Sequence, residues 1–150
     1  MHLPRPFRTL IVDESEAFSA CIEAWARDRE EIVVVGTARS GDEALAAMPW
    51  LRPDLVLADA VLPVVDGFRL TRVLKTSPFA PLVVLATFFA SEAAREQALA
   101  AGADGFLAKD DFVEGFGLLL RDLVARRAPP ASVTRQERSN RPVSRTEPDP

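Results

Sequence analysis

Cysteine and histidine occur once each in this chain of 150 residues, and no apolar run approaches the length of a membrane span. One cysteine cannot close an intramolecular disulfide, which excludes a disulfide-stapled scaffold and agrees with a reducing compartment. The longest apolar stretch, around Leu82 to Ala90, falls far short of the roughly 20 residues that a bilayer requires. The basic start is followed by an apolar run that breaks at Asp13, too early for a secretory signal. A cytoplasmic protein with no membrane association is therefore expected. An excess of positive charge is also missing. Lysine and arginine number 18 against 22 acids, a net charge of −4, so there is no electrostatic case for direct nucleic-acid binding. Glycine-rich nucleotide motifs and internal repeats are absent. The lone histidine, His2, lies in a proline-containing leader and is expected to be a bystander.

What remains is ordinary globular composition, 48% hydrophobic and 27% charged, with room for one sizeable core. Thr9 to Val12 is a short β-rich run ending at Asp13 and Glu14, and Ser15 can cap the helix that follows. Phe18, Cys21, Ile22 and Trp25 recur at helical spacing, which predicts one buried face with Cys21 in the core. Glu31 to Val35 reads as a second strand and Gly36 to Arg39 as loop. Ser40 and Glu43 have capping-box spacing at the start of a helix expected to end near Pro49. Asp54 to Ala58 reads as a third strand, apolar without interruption from Leu55, as in strands buried on both faces of a parallel sheet. It ends on Asp59, and Pro63, Asp66 and Gly67 then turn the chain into a helix reaching about Thr76. A fourth strand runs from Pro81 to Ala86 and reaches Thr87. An alanine-rich helix from about Ser91 stops at Gly102. Asp104 to Ala108 is a fifth strand, with Lys109 just past it. The last helix carries Phe112, Phe116, Leu119, Leu120 and Leu123 on one face, with Gly115 and Gly117 loosening its first turns. From Ala128 onward almost no large apolar residue occurs. One domain over residues 1–127 and a disordered tail or linker over 128–150 are expected. Five strands alternating with five helices predict an α/β fold, a parallel sheet covered on both faces.

Asp13 and Glu14 follow strand one, Asp59 strand three, Thr87 strand four and Lys109 strand five. In a parallel sheet all carboxyl ends share one edge, so these groups should meet in one crevice. Two unit charges about 4 Å apart at an effective dielectric near 20 repel by ~4 kcal/mol, so gathered carboxylates need a cation. A hard divalent ion such as Mg²⁺ suits that oxygen-rich set.

The run from Leu10 to Glu14, the stretch from Asp59 through Pro63 to Gly67, Thr87, and the run from Ala101 to Lys109 together resemble the receiver domain of two-component response regulators. The resemblance covers about residues 7 to 126. It implies a flavodoxin-like, doubly wound sheet of order 2-1-3-4-5, with Asp59 as phosphoacceptor. It further implies that Asp13, Glu14, Asp59 and the backbone carbonyl of Val61 hold Mg²⁺, that Thr87 and Lys109 bind phosphoryl oxygens, and that Phe106 moves as Thr87 is drawn inward. The phosphodonor would be a histidine kinase or phosphotransfer protein, and output would pass through a downstream protein partner, a homodimer or an effector domain. Such a chain is a signalling switch and not an enzyme, beyond self-catalysed phosphoryl transfer and autodephosphorylation. The alternative is a pseudo-receiver, a protein-binding or dimerisation module without phosphorylation. An aspartyl phosphatase is disfavoured because Val61 stands where such enzymes carry a second aspartate.

Four departures from the family pattern bear on these roles. Glu14 replaces the usual aspartate, and since Mg²⁺ demands near-octahedral geometry, weaker metal binding is expected. Phe88 and Phe89 follow Thr87 where a small residue is usual, either covering the site or packing on the next helix. Phe106 lacks a hydroxyl, which leaves a switch that works by packing. Asp110 takes the place of a proline that is often cis.

Overall fold

The apolar runs form the strands of a single sheet. In the computed structural model, which describes residues 5–127, the order is β1 (Phe7–Val12), α1 (Glu16–Ala26), β2 (Ile32–Ala38), α2 (Gly41–Leu51), β3 (Leu55–Asp59), α3 (Gly67–Lys75), β4 (Leu82–Thr87), α4 (Glu92–Ala101) and β5 (Gly105–Ala108). A 3₁₀ turn, Lys109–Asp111, leads into α5 (Phe112–Arg127). The expected tail and His2 lie outside the described residues. All strand pairs are parallel, and the sheet order is β2-β1-β3-β4-β5, the flavodoxin-like arrangement with five helices.

Strand side chains alternate between two cores. Leu10, Val56 and Leu85 face Ala44, Leu70 and Ala98 of α2, α3 and α4. Ile11, Leu57 and Val84 face Ile22, Phe112, Phe116 and Leu120 of α1 and α5. β3 carries buried residues toward both, which is why Leu55 to Ala58 is apolar without interruption. Ser15, Ser40, Asp66 and Ser91 each cap a helix by accepting the amide three residues on. Caps of this kind contribute about 1 kcal/mol apiece. Glu43 completes its box one residue early, accepting the Arg39 amide at 3.0 Å.

Three sequence expectations are corrected. β2 does not stop at Val35 but continues to Ala38, because the register shifts: Thr9 pairs with Val34 and Leu10 with Gly36, leaving Val35 as an extra residue. Helix α2 passes through Pro49 to Leu51, held by the Arg8 guanidinium, which donates to the Leu51 carbonyl at 2.7 Å. The Leu51 side chain also fills the space beside Gly36, where a Cβ would lie 2.6 Å from it. Cys21 is exposed rather than buried, since the covered face of α1 is Ser19, Ile22 and Ala26, with Phe18 and Trp25 half-buried beside it. Helix α5 is continuous from Phe112 through both of its glycines.

Candidate functional site

Parallel pairing brings the ends of β1, β3, β4 and β5 to one edge, and there Asp13, Asp59 and Lys109 meet. The Lys109 ammonium donates to Asp13 Oδ2 at 2.5 Å and to Asp59 Oδ2 at 2.7 Å. The other oxygen of each carboxylate is engaged by its own loop: Asp13 Oδ1 accepts the Ser15 amide and Asp59 Oδ1 the Val61 amide, both at 2.9 Å. Both aspartates are thus oriented before any ligand arrives. Lys109 and Asp13 are almost fully buried, with side chains 2% and 3% exposed, whereas Asp59 is 16% exposed. Of the two carboxylates, Asp59 is the one open to solvent.

The backbone around Asp59 is tightly constrained. A Cβ on Gly67 would lie 2.3 Å from the Asp59 carbonyl oxygen, so only glycine lets α3 start against the end of β3. Val64 has φ of 66° in a three-residue turn closed by the Val65 amide on the Pro63 carbonyl. A β-branched residue in that region is strained, and such strain collects at functional loops.

Thr87 is buried, and its hydroxyl accepts the Phe89 amide at 3.1 Å. Phe106 is buried in the core shared by α2, α3 and α4, with the Arg95 guanidinium 5.7 Å from its ring. Phe88 and Phe89 are 58% and 77% exposed, so burial against the next helix does not account for either. Phe88 leans toward the site, its ring 5.1 Å from the Lys109 ammonium. Glu14 is exposed and stands apart from the Lys109 cluster's ion pairs. The bond between Lys109 and Asp110 is trans, as are all described peptide bonds.

Phe18 is the residue whose part here is not readable from sequence. Its helical spacing marks it as a core residue, yet its ring lies 4.2 Å from the Lys109 ammonium. The one available signal is its place in the first turn of α1, directly after Asp13 and Glu14.

A family model for the response regulator receiver domain matches residues 9–114. The chain belongs to this family. This receiver is 34% identical over 103 residues to the transcriptional regulatory protein LnrK of Bacillus subtilis (strain 168), covering 69% of this chain and 47% of that one. It is 34% identical over 120 residues to protein-glutamate methylesterase/protein-glutamine glutaminase 1 of Syntrophus aciditrophicus (strain SB), covering 78% of this chain and 34% of that one. Among solved structures, the signal receiver domain of the putative response regulator NarL from Mycobacterium tuberculosis superposes with a TM-score of 0.72 at 25% identity, over 81% of this chain and 96% of that one. The receiver thus spans less than half the length of these curated relatives.

The donor chemistry of two carboxylates and a nearby carbonyl suits a hard divalent cation. In the receiver as it stands, the charge those carboxylates share is the Lys109 ammonium. Among the described residues no group of three or more acidic, histidine or cysteine side chains is gathered as a metal cluster. No helix among the described residues is long and apolar enough to cross a membrane.

Proposed function

We propose that this receiver is a phosphorylation-activated signalling switch in which Asp59 accepts a phosphoryl group from a partner histidine kinase or phosphotransfer protein. The observation that carries this reading is the pairing of Lys109 with two aspartates of which only Asp59 reaches solvent. An Asp59 carboxylate oxygen attacks phosphorus, the P–N bond of the phosphohistidine breaks, and its electron pair returns to the imidazole, which takes up a proton. An acyl phosphate remains on Asp59. Asp13, Asp59 and the Val61 carbonyl are the groups that would hold Mg²⁺, with Glu14 as a longer and less well matched fourth. A bound Mg²⁺ supplies charge neutralisation for the transferring group.

After transfer the Lys109 ammonium would exchange its bond to Asp59 for one to a phosphoryl oxygen, and the Thr87 hydroxyl would leave the Phe89 amide to donate to another. The space released beside Thr87 would be taken by Phe106, a packing switch driven by new charge. Output then passes to a downstream protein or an effector domain. Exposed Leu99 on α4 and Leu118 on α5 favour the outer faces of these two helices for a partner or a second copy of the chain. The relatives named above as a transcriptional regulator and a methylesterase illustrate two outputs; this chain is proposed to act in the cytoplasm as the switch, without direct nucleic-acid contact or turnover of its own.

Two observations favour the second reading, a pseudo-receiver acting as a binding or dimerisation module: both aspartates already accept from Lys109, and Glu14 faces solvent. Incubation with acetyl phosphate and Mg²⁺, followed by intact-mass measurement of wild type and Asp59→Asn, separates the two. A single phosphoryl adduct on wild type alone supports the switch. Absence of an adduct with small-molecule and phosphohistidine donors alike sinks it in favour of the pseudo-receiver.

A further inference from the structure

Lysine carries three N–H donors and no acceptor. Among the described residues, the Lys109 ammonium finds two oxygens, one on each aspartate, and no third. Two aromatic rings also lie beside it, that of Phe18 at 4.2 Å and that of Phe88 at 5.1 Å. Both lie within the distance at which a ring's negative face attracts a cation, and the attraction strengthens where water is excluded. Here the lysine side chain is 2% exposed. Phe18 is itself fixed, edge-on to Phe112 at 5.2 Å, which stacks on Phe116 at 5.0 Å in the core. Phe88 comes from a different element, the loop after β4, and is largely exposed.

We infer that Phe18 and Phe88 are positioning residues that latch the Lys109 ammonium between Asp13 and Asp59, and so set how readily a divalent cation can take those two carboxylates. The inference rests on reading the aspartate pair as the cation-binding and phosphoryl-accepting site. Oδ2 of each aspartate is held by Lys109 and Oδ1 by an amide of its own loop, so a metal ion that draws on these carboxylates competes with Lys109 for their charge. The ammonium and the ion repel, by ~4 kcal/mol per unit charge at about 4 Å and an effective dielectric near 20, so each weakens the other's hold on the two carboxylates. The cation affinity of the site is therefore the intrinsic affinity reduced by the stability of the latched lysine. The rings contribute to that stability without touching the metal ligands. An exposed aromatic after Thr87 thereby acquires a role that neither burial nor backbone geometry accounts for.

The test is Mg²⁺ titration of the full chain by calorimetry, with no phosphodonor present, for wild type, Phe18→Leu, Phe88→Leu, Phe18→Tyr and Phe88→Tyr. Leucine keeps apolar bulk and removes the ring face, whereas tyrosine keeps the face. Each leucine variant should bind Mg²⁺ about fivefold more tightly, and each tyrosine variant within about twofold of wild type. In ¹H–¹³C spectra the Lys109 ε-methylene, shifted upfield by the rings, should return toward its ordinary position as Mg²⁺ is added. Phe88 is largely exposed, so Phe88→Leu reports on the latch even if Phe18→Leu disturbs the packing of α1. Unchanged or weaker binding in Phe88→Leu overturns the inference, and so do equal changes in the leucine and tyrosine variants. Absence of Mg²⁺ binding in every variant overturns it too. The phosphoacceptor reading stands or falls separately, on the mass adduct at Asp59.

Discussion

Two lysines in this receiver sit in ion pairs at opposite edges of the same sheet, and they are built differently. At the amino ends of the strands, Lys75 faces one carboxylate, Asp104, at 2.8 Å and one neutral acceptor, the Pro81 carbonyl, at 3.0 Å. Asp104 Oδ2 in turn accepts the Val83 amide at 2.9 Å. Charge is balanced one to one, and the pair ties α3 to the starts of β4 and β5. At the carboxyl ends Lys109 faces two carboxylates and no neutral oxygen among the described residues, leaving a net negative charge in a nearly dry pocket. The first arrangement is complete. The second carries one acid in excess, which on the function proposed above a cation or a phosphoryl group would draw on.

The comparison breaks most sharply under isosteric loss of one acid. Asp59→Asn should abolish phosphoryl uptake entirely, read as loss of the mass adduct, while Asp104→Asn should keep it at the wild-type level. Loss of the adduct in Asp104→Asn would show that the two edges are not separable.

Stability should respond the other way. Asp104→Asn removes the charge that both Lys75 and the Val83 amide use, and both side chains of the pair are only 25% exposed. A cost of about 2 kcal/mol is expected, which for a domain of this size lowers Tm by about 8 °C. A calorimetric or circular-dichroism melt within about 2 °C of wild type would remove Lys75 and Asp104 from the list of structural pairs.

How far the two edges were legible in the sequence follows from the same distinction. Asp13, Asp59 and Lys109 each stand at the end of a strand, so their convergence needed only the inference of a parallel sheet, which the unbroken apolar run of β3 supplied. The Lys75–Asp104 pair left no such trace, because it joins the end of a helix to a residue 29 positions later through a tertiary contact. The continuation of β2 past Val35 depends on a register shift against β1, and the passage of α2 through Pro49 on Arg8 holding its last carbonyl. Local propensity speaks to neither. Cys21 was misplaced because a face of four apolar residues can be turned by one position when two of them, Phe18 and Trp25, are large enough to reach the core from its flanks. That same breadth hid the contact of Phe18 with Lys109.

The surplus of negative charge can also be sharpened. Glu14 is exposed, while Asp13 beside it is buried. Glu14→Asp restores the shorter acid usual in the family, which is expected to suit better the octahedral geometry of a cation that Asp13 and Asp59 would hold. Mg²⁺ should bind about tenfold more tightly, a change worth ~1.4 kcal/mol. Calorimetric titration showing equal or weaker binding would mean that chain length at this position is not the limiting defect.

The smallest effect is the most discriminating. Asp59→Asn takes one anion from a cluster that holds two of them for one cation. It loses attraction to Lys109 and repulsion from Asp13 together, and the amide oxygen can still accept from the ammonium while Asp13 keeps its ion pair. These contributions nearly cancel, and the burial cost of a charge 84% removed from water disappears as well. The melting temperature of Asp59→Asn should therefore stay level or rise, by no more than about 4 °C, corresponding to ~1 kcal/mol. The same chemical change lowers stability at one edge of the sheet and spares or raises it at the other because the first pair is neutral and the second is not. If Asp59→Asn melts as early as Asp104→Asn, the carboxyl edge is a structural salt bridge with an extra acid, and no negative surplus is held there for a ligand to exploit.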